Sequence, residues 1–319
     1  MQTIAQNNFI TVKTEGGILP ADLLQRIADG EMEGLNPADY HLAGSEKLNE
    51  AMNRAWNRLQ GAWGSFKNKM EGIAPTETGT TLTRDWVLTV LQELGYGRLP
   101  HQGKITIGDT DYPISHLYDH TPIHLVSFRQ KPDTRDTSEI RTPQSAIPSR
   151  SPHSLVQECL NRSDNHLWAF VSNGLRFRIL RDNVSLSRAA YVEFDLQAMF
   201  EGELYSDFTL FWLLCHQSRV EIREWRLEMG EESSLSTLQS PANCWLEKWS
   251  QTAVEQGTRA LDALRDGVQE AIAALGRGFL AQPGNRSLKD DLKSGALTTQ
   301  DYYRQLLRLV YRLLFLFVA

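Results

Sequence analysis

The sequence predicts an α+β fold: a small mixed sheet flanked by helices up to about Leu227, followed by an all-helical segment from Asn243. Three observations carry this. Leu167 to Val171 is a compact run of β-formers, and Asn173-Gly174 follows it, a strong hairpin signal when both central residues take positive φ. The return strand alternates, with Leu175, Phe177 and Ile179 on one face and Arg176 and Arg178 on the other. Ser206 to His216 is apolar nearly all round (Phe208, Leu210, Phe211, Trp212, Leu213, Leu214), which predicts a buried helix.

Taken in order, residues 1–20 read as an extended or poorly ordered lead-in. Pro20-Ala21-Asp22 opens a short helix through Leu23, Leu24 and Ile27. Ser45 is placed to cap a longer helix to about Met70, where Leu48, Met52, Ala55, Trp56, Leu59, Trp63 and Phe66 recur at helical spacing. That spacing makes its tryptophans core residues, with a base-stacking platform as the sharper alternative. Thr83 is the expected cap of the next helix, which Gly95 and Gly97 end. Lys104 to Pro113 reads as two short strands joined near Gly108-Asp109, and Pro122 to Arg129 as a third strand. Residues 130–152 form a long loop rich in proline and charge. Ser151-Pro152 opens a helix, and Tyr191 to Phe194 is a further strand. Residues 230–241 are a Ser-rich linker. A long helix to about Leu280 follows, its apolar stripe running from Leu246 through Trp249, Val254, Leu264, Val268 and Ile272 to Leu275. Thr298 with Asp301 resembles a capping box for the last helix. This gives a helical region at 1–82, an α/β domain at 83–229 and a helical connector at 230–319.

The 319 residues allow two domains, and 41% hydrophobic with 23% charged residues is ordinary for a globular protein. The net charge of −6 speaks against a freestanding nucleic-acid binder, which is usually basic, so any DNA contact must come from a local patch. Cys159, Cys215 and Cys244 have no paired or metal-like spacing and read as free buried thiols of a reducing cytoplasm. The N-terminus lacks a secretory pattern. Leu306 to Ala319 is very apolar, but Arg308 and Arg312 interrupt it, and it falls short of the roughly 20 residues of a membrane span.

Two blocks carry a family resemblance: NRSDNHLWAFVSNGLRFRILRDN, starting at Asn161, and YVEFDLQAMFEGELYSDFTLFWLLCHQSR, starting at Tyr191. They resemble the amino-terminal region of large bacterial adenine-specific DNA methyltransferases of the fused (type IIG-like) restriction-modification kind and their relatives in phage-defence islands such as DISARM. The resemblance extends from about Thr83 onward and rests on ordered blocks rather than a catalytic signature. It implies a restriction-nuclease-like topology in degenerate form and double-stranded DNA as partner. Other defence-system subunits are further partners in such systems. It also implies a methyltransferase domain beyond Ala319 that transfers a methyl group from S-adenosylmethionine to the exocyclic nitrogen of a flipped adenine. No residue here is assigned to that step. There is no Asn-Pro-Pro-Tyr-like tetrapeptide, Asn36-Pro37-Ala38-Asp39 being the nearest, and no glycine-rich turn for the cofactor.

Nucleases of this type hold a divalent metal with an Asp on one strand and Glu-x-Lys on the next. Asp109 and Asp111 are candidates for the first position, and Mg²⁺ would be needed only if the chain is a nuclease. The next strand, Ile123 to Phe128, offers no Glu-x-Lys. His116, Asp119, His120 and His124 would suit zinc on a helix, but Pro113 and Pro122 predict a polar loop or edge strand instead. Arg176, Arg178 and Arg181 on the hairpin, with Arg129, Lys131 and Arg135 beside the long loop, are the candidate phosphate contacts. A solvated strand face, or contact with another domain or subunit, would explain the same pattern.

Overall fold

Alternation along the central strands sets the architecture, because successive side chains point to opposite faces of a sheet. The computed structural model describes residues 9–134, 150–182, 189–222 and 242–318, which divide into two units after Ala253. In the first unit, β1 (Val12–Glu15), β4 (His116–Tyr118), β5 (Thr121–Leu125), β6 (Trp168–Ser172), β7 (Arg176–Arg181) and β8 (Tyr191–Asp195) form a six-stranded mixed sheet. Its order is β1-β8-β7-β6-β5-β4, and every pairing is antiparallel except β5 with β6. A parallel neighbour requires a crossover, which here includes α4 (Pro152–Asn161). Ser151 caps that helix, accepting a hydrogen bond from Ser154 N at 3.2 Å. β2 (Ile105–Ile107) and β3 (Thr110–Tyr112) form a separate ribbon.

Both faces of the sheet are covered. On one face Phe170, Phe177, Ile179, Val192 and Phe194 share the main core with α1 (Ala21–Ala28), α2 (Leu48–Gly72), α3 (Thr80–Glu93), α5 (Leu196–Glu201) and α6 (Tyr205–Cys215). On the other, Ala169, Val171 and Leu180 meet Val156, Cys159 and Leu160 of α4 and Ile105 and Tyr112 of the ribbon. A strand buried on both sides reads as a continuous apolar run, which is why Leu167 to Val171 does not alternate. The α2 tryptophans are core residues. Trp63 and Phe66 contact the Trp86 ring at 5.6 and 5.7 Å, and Trp56 stacks on Phe200 at 5.4 Å.

Two buried polar clasps tie distant segments to this core. Asp207, 1% exposed on the largely apolar α6, accepts from Thr11 N at 2.7 Å and Thr11 Oγ1 at 2.6 Å, fixing the approach to β1. Arg219, fully buried, lies 3.8 Å from the Tyr40 ring centroid and donates to Gly34 O at 2.7 Å and to Asp39 O. Trp245 and Trp249 flank the same guanidinium, so it seats the first turns of α7 (Trp245–Ala281).

In the second unit Ile272, Leu306 and Val310 form a small core between the later turns of α7 and α9 (Thr299–Val318). Thr298 caps α9, accepting from Asp301 N at 3.0 Å and donating to Asp301 Oδ2 at 2.8 Å. Among the described residues no helix is long and apolar enough to cross a membrane.

Several expectations change. Of the two readings of the lead-in, the extended one holds for Val12–Glu15, where β1 pairs with β8. Residues 1–82 do not stand apart from 83–229, since α1 and α2 share the sheet's main core. Helix α2 starts after Lys47 rather than at Ser45. Thr83 lies inside α3, buried, donating to Gly79 O and accepting from Phe128 N. The α7 stripe is interrupted, with Val254 62% and Leu264 54% exposed. Two short helices, α5 and α8 (Arg286–Ser294), were not expected. The long loop beyond Thr134 and the Ser-rich linker lie outside the described residues.

The hairpin also differs in detail. Only Gly174 takes positive φ (81°), and the Asn173 side chain accepts from Leu175 N and Arg176 N at 3.1 and 2.8 Å. A Cβ on Gly174 would lie 2.9 Å from Thr83 Cγ2 and 3.2 Å from Trp86 Cδ1, and Trp86 Nε1 donates to Gly174 O at 2.9 Å. Gly174→Ala is therefore expected to lower unfolding free energy by at least about 1 kcal/mol from the left-handed backbone alone. Urea unfolding measures it, and an unchanged midpoint would show that the α3–hairpin contact is slack.

Candidate functional site

The most polar part of the sheet lies under α4. Strand register builds it: Glu193 pairs with Arg178 and with Lys13, Arg178 pairs with Val171, and Val171 with His124. Directly paired residues share a face, so Lys13, Glu193, Arg178, Val171 and His124 form one row across the sheet. Arg178 and Glu193 are each 3% exposed.

Burial at that depth makes an unpaired ion costly, so the partners have to be close. Arg178 donates through Nε to Glu193 Oε2, and through its two terminal nitrogens to Asp133 Oδ1 and Oδ2, both at 2.6 Å. His153 Nδ1 of α4 lies 3.4 Å away, and the guanidinium sits 4.2 Å from the Tyr191 ring centroid. Arg176 donates to the other oxygen, Glu193 Oε1, at 2.6 Å and reaches Asp195 at 3.3 Å. Burial opposes the Arg178 cation, but the hydrogen bonds it donates to Asp133 and Glu193 leave its pKa above the ordinary arginine value. The Arg178 guanidinium in turn holds the Asp133 carboxyl below its usual range. Burial, then the Arg178 charge, lowers the His153 pKa.

Four of the predicted phosphate contacts, Arg129, Arg176, Arg178 and Arg181, thus have internal partners. Arg178 is not on a solvated face, as α4 and the Asp133 segment cover it. Arg181 makes a two-pronged pair with Glu247 Oε1 and Oε2, each at 2.8 Å. Arg129 donates to Ala74 O at 3.0 Å and Ile73 O at 3.5 Å, just past the end of α2. Arg176 keeps 47% of its side chain exposed, and Lys131 is exposed. Arg135 lies outside the described residues. Asp133, His153, Glu193 and Glu247 went unassigned in the sequence. For Glu193 a signal existed: in Tyr191-Val192-Glu193-Phe194-Asp195 the acids alternate in phase with the two arginines of the neighbouring strand.

Asp109 and Asp111 belong to the ribbon, not to the six-stranded sheet. Asp111 accepts from Lys104 Nζ at 2.5 Å and Thr106 Oγ1 at 2.6 Å. His116 is on the edge strand β4 and His124 on β5, with Asp119 and His120 in the turn between them. Ser115 donates to Ile123 O at 3.1 Å and accepts from Leu125 N at 2.8 Å, locking those strands. Among the described residues no group of three His, Cys, Asp or Glu side chains is gathered to hold a metal. No family model matches this chain, and no curated protein or solved structure matches it.

Glu193→Leu should cost about 3 kcal/mol, as removing one partner strands a buried charge. Arg178→Met combined with Glu193→Leu should recover part of that loss in a double-mutant cycle. A loss in the double variant equal to the sum of the Arg178→Met and Glu193→Leu losses would mean that the two charges are not coupled. Burial also lowers the pKa of His116 and of His124 to about 4 and of His216 to about 3. Below the ordinary histidine value of 6.5 the unfolded chain therefore binds more protons than the folded one. Stability should be flat above that pH and should fall as pH drops from 6.5 toward about 4. A urea midpoint that stays constant across this window would contradict the burial of these imidazoles.

Proposed function

We propose that this chain is the amino-terminal, non-catalytic scaffold of an adenine-specific DNA methyltransferase from a phage-defence or restriction-modification system. The observation that carries the reading is what stands on the β4–β5 pair beside the parallel crossover. A nuclease of this topology would carry an Asp and a Glu-x-Lys there, to hold Mg²⁺ and activate water. These strands bear His116 and His124 instead, and Ser115, just before β4, is engaged by backbone groups of Ile123 and Leu125. The hairpin arginines that could have gripped phosphate, Arg176, Arg178 and Arg181, are paired with Glu193, Asp133 and Glu247. On this reading the restriction-nuclease-like scaffold persists and its hydrolytic centre does not.

The order of elements supports the same conclusion: a helix, antiparallel strands, then β5–α4–β6 with its parallel pairing, and a hairpin. The methyl donor, S-adenosylmethionine, belongs to a methyltransferase domain following Ala319, and duplex DNA and other defence-system subunits are the remaining partners. Contacts to DNA from this part fall to Lys131, half-exposed Arg176 and Arg129.

The test has two readouts on the purified chain. Supercoiled plasmid with Mg²⁺ should stay intact, and Asp111→Ala should change nothing. Duplex affinity should fall with salt at a slope between about −1 and −3, the signature of only a few phosphate contacts. Mg²⁺-dependent cutting abolished by Asp111→Ala would replace this reading with an endonuclease. Absence of salt-dependent DNA binding would leave an interaction module of a defence complex. The coding sequence beyond Ala319 should carry an Asn-Pro-Pro-Tyr-like tetrapeptide and a glycine-rich cofactor turn, and a gene without them would refute the assignment.

A further inference from the structure

The second unit buries one stripe of each of its two long helices. Val268, Ile272 and Leu275 of α7 meet Leu306, Val310 and Leu314 of α9. Tyr302, at the start of α9, donates to Gly276 O at 2.9 Å near the end of α7, while Val268 and Leu314 join the same cluster, so the two helices run antiparallel. A second apolar stripe, beside the first, stays largely uncovered among the described residues. On α9 it is Leu309, Leu313 and Leu316, with Leu313 37% and Leu316 73% exposed. On α7 it is Leu264, Gly267, Ala271 and Ala274, a shallower row in which a Cβ on Gly267 would meet nothing within 4 Å. Steps of three and four residues keep each row on one helix face. At about 100° per residue, the open stripe lies about 90° from the buried one in both helices, and in the same sense. That rotation puts both open stripes on one side of the hairpin, as the inner corner of a four-helix bundle requires.

Charge marks the edges of the same face. Arg308 and Arg312 flank the α9 leucines, and Glu270 and Asp266 flank the α7 row. Arg304 is held by Asp301 at 3.2 Å, but among the described residues Arg308, Arg312 and Glu270 take part in no ion pair, and Asp266 meets its neighbour Arg265 at 3.7 Å. From the Tyr302–Gly276 contact, six residues on in α9 is Arg308 and six back in α7 is Glu270, while ten on is Arg312 and ten back is Asp266. Equal rise in the two helices therefore sets each cation at the height of an acid. The cations and the acids stand at opposite outer edges of the hairpin, so they do not meet within one chain. A twofold axis along the hairpin keeps heights unchanged and lays α9 of one copy antiparallel on α7 of the other. Arg308 and Arg312 then stand beside Glu270 and Asp266 of the second copy, and the reverse contact is identical.

We propose that this face is a self-association surface, through which two copies of the chain pair α7 with α9 in a twofold, antiparallel four-helix bundle. The leucines of each copy fill the shallow row of the other, and the flanking charges set register and partner choice as they do in coiled coils. A second copy matches the face on every count, because it brings leucines to the shallow row, a shallow row to the leucines, acids to Arg308 and Arg312, and arginines to Glu270 and Asp266. The inference goes beyond the scaffold reading and does not depend on it, because no residue of the β4–β5 pair or the arginine row enters it.

Sedimentation velocity of the whole chain tests it. The unmodified chain at about 50 μM should run as a discrete dimer. Leu313→Glu with Leu316→Glu should weaken that dimer by about tenfold or more, and circular dichroism of the variant shows that the helices remain. Arg308→Glu with Arg312→Glu should weaken it as well, and so should Asp266→Arg with Glu270→Arg. All four charge reversals in one chain should restore the dimer, because every cation then faces an acid again. A monomeric chain at about 50 μM would overturn the proposal and leave the face to a different protein. Polydisperse aggregation would overturn it too, as would a dimer indifferent to the leucine substitutions, which would be held together elsewhere. Failure of the fourfold reversal to restore the dimer would show that α9 does not lie on α7 of a second copy.

Discussion

A guanidinium buried between a sheet and a helix constrains everything around it. Arg178 is 3% exposed, and its charge is tolerable only because Glu193 and Asp133 meet it from two sides. Glu193 fixes the β7–β8 register, since a slip of one residue would turn its carboxylate into the aromatic core on the other face. Asp133 pins the start of the crossover, and His153 brings α4 onto the same group. The pair thus links strand register to helix placement, a stronger constraint than apolar packing of Val171 and Leu180 alone, because apolar contacts tolerate sliding and a forked ion pair does not.

The two sides of the sheet are stabilised by different means. The face toward α2, α3 and α6 is an aromatic core in which Phe170, Phe177, Phe194, Phe200 and Phe211 are all buried. Polar groups there are few, and Asp207 is satisfied by holding Thr11. The α4 face combines a smaller apolar cluster with the ion network. A nuclease needs oxygen ligands and a lysine free to meet metal and water. On the proposed reading the β4–β5 pair offers two histidines, His116 and His124, in place of such ligands, and the α4 face, with its arginine row, has become a joint between elements.

Local signals in the sequence identified the central elements. The alternation from Leu175 to Ile179, the Asn-Gly turn, Ser151 as a cap and the apolar run of α6 each depend on residues close in sequence, and each predicted element is present. The failures have a common cause. The β1 pairing, the internal position of Thr83 and the burial of Arg178 are decided by partners far along the chain: Phe194, Phe128 and Asp133. An arginine on the polar phase of a strand has the same local pattern whether it faces water, phosphate or a carboxylate. Only the matching phase of Glu193 and Asp195 distinguished these cases, and Asp133, from a proline-rich loop, left no periodic trace.

The account rests on the hairpin arginines serving the protein's own carboxylates rather than an external phosphate. Nitrogen-15 spectroscopy of the arginine side chains observes this directly. The Arg178 Nε–H should exchange slowly with solvent and keep its chemical shift when duplex DNA is added, while half-exposed Arg176 exchanges faster. Rapid exchange at Arg178, with a shift that follows DNA saturation, would place that guanidinium on the nucleic-acid surface and contradict the account.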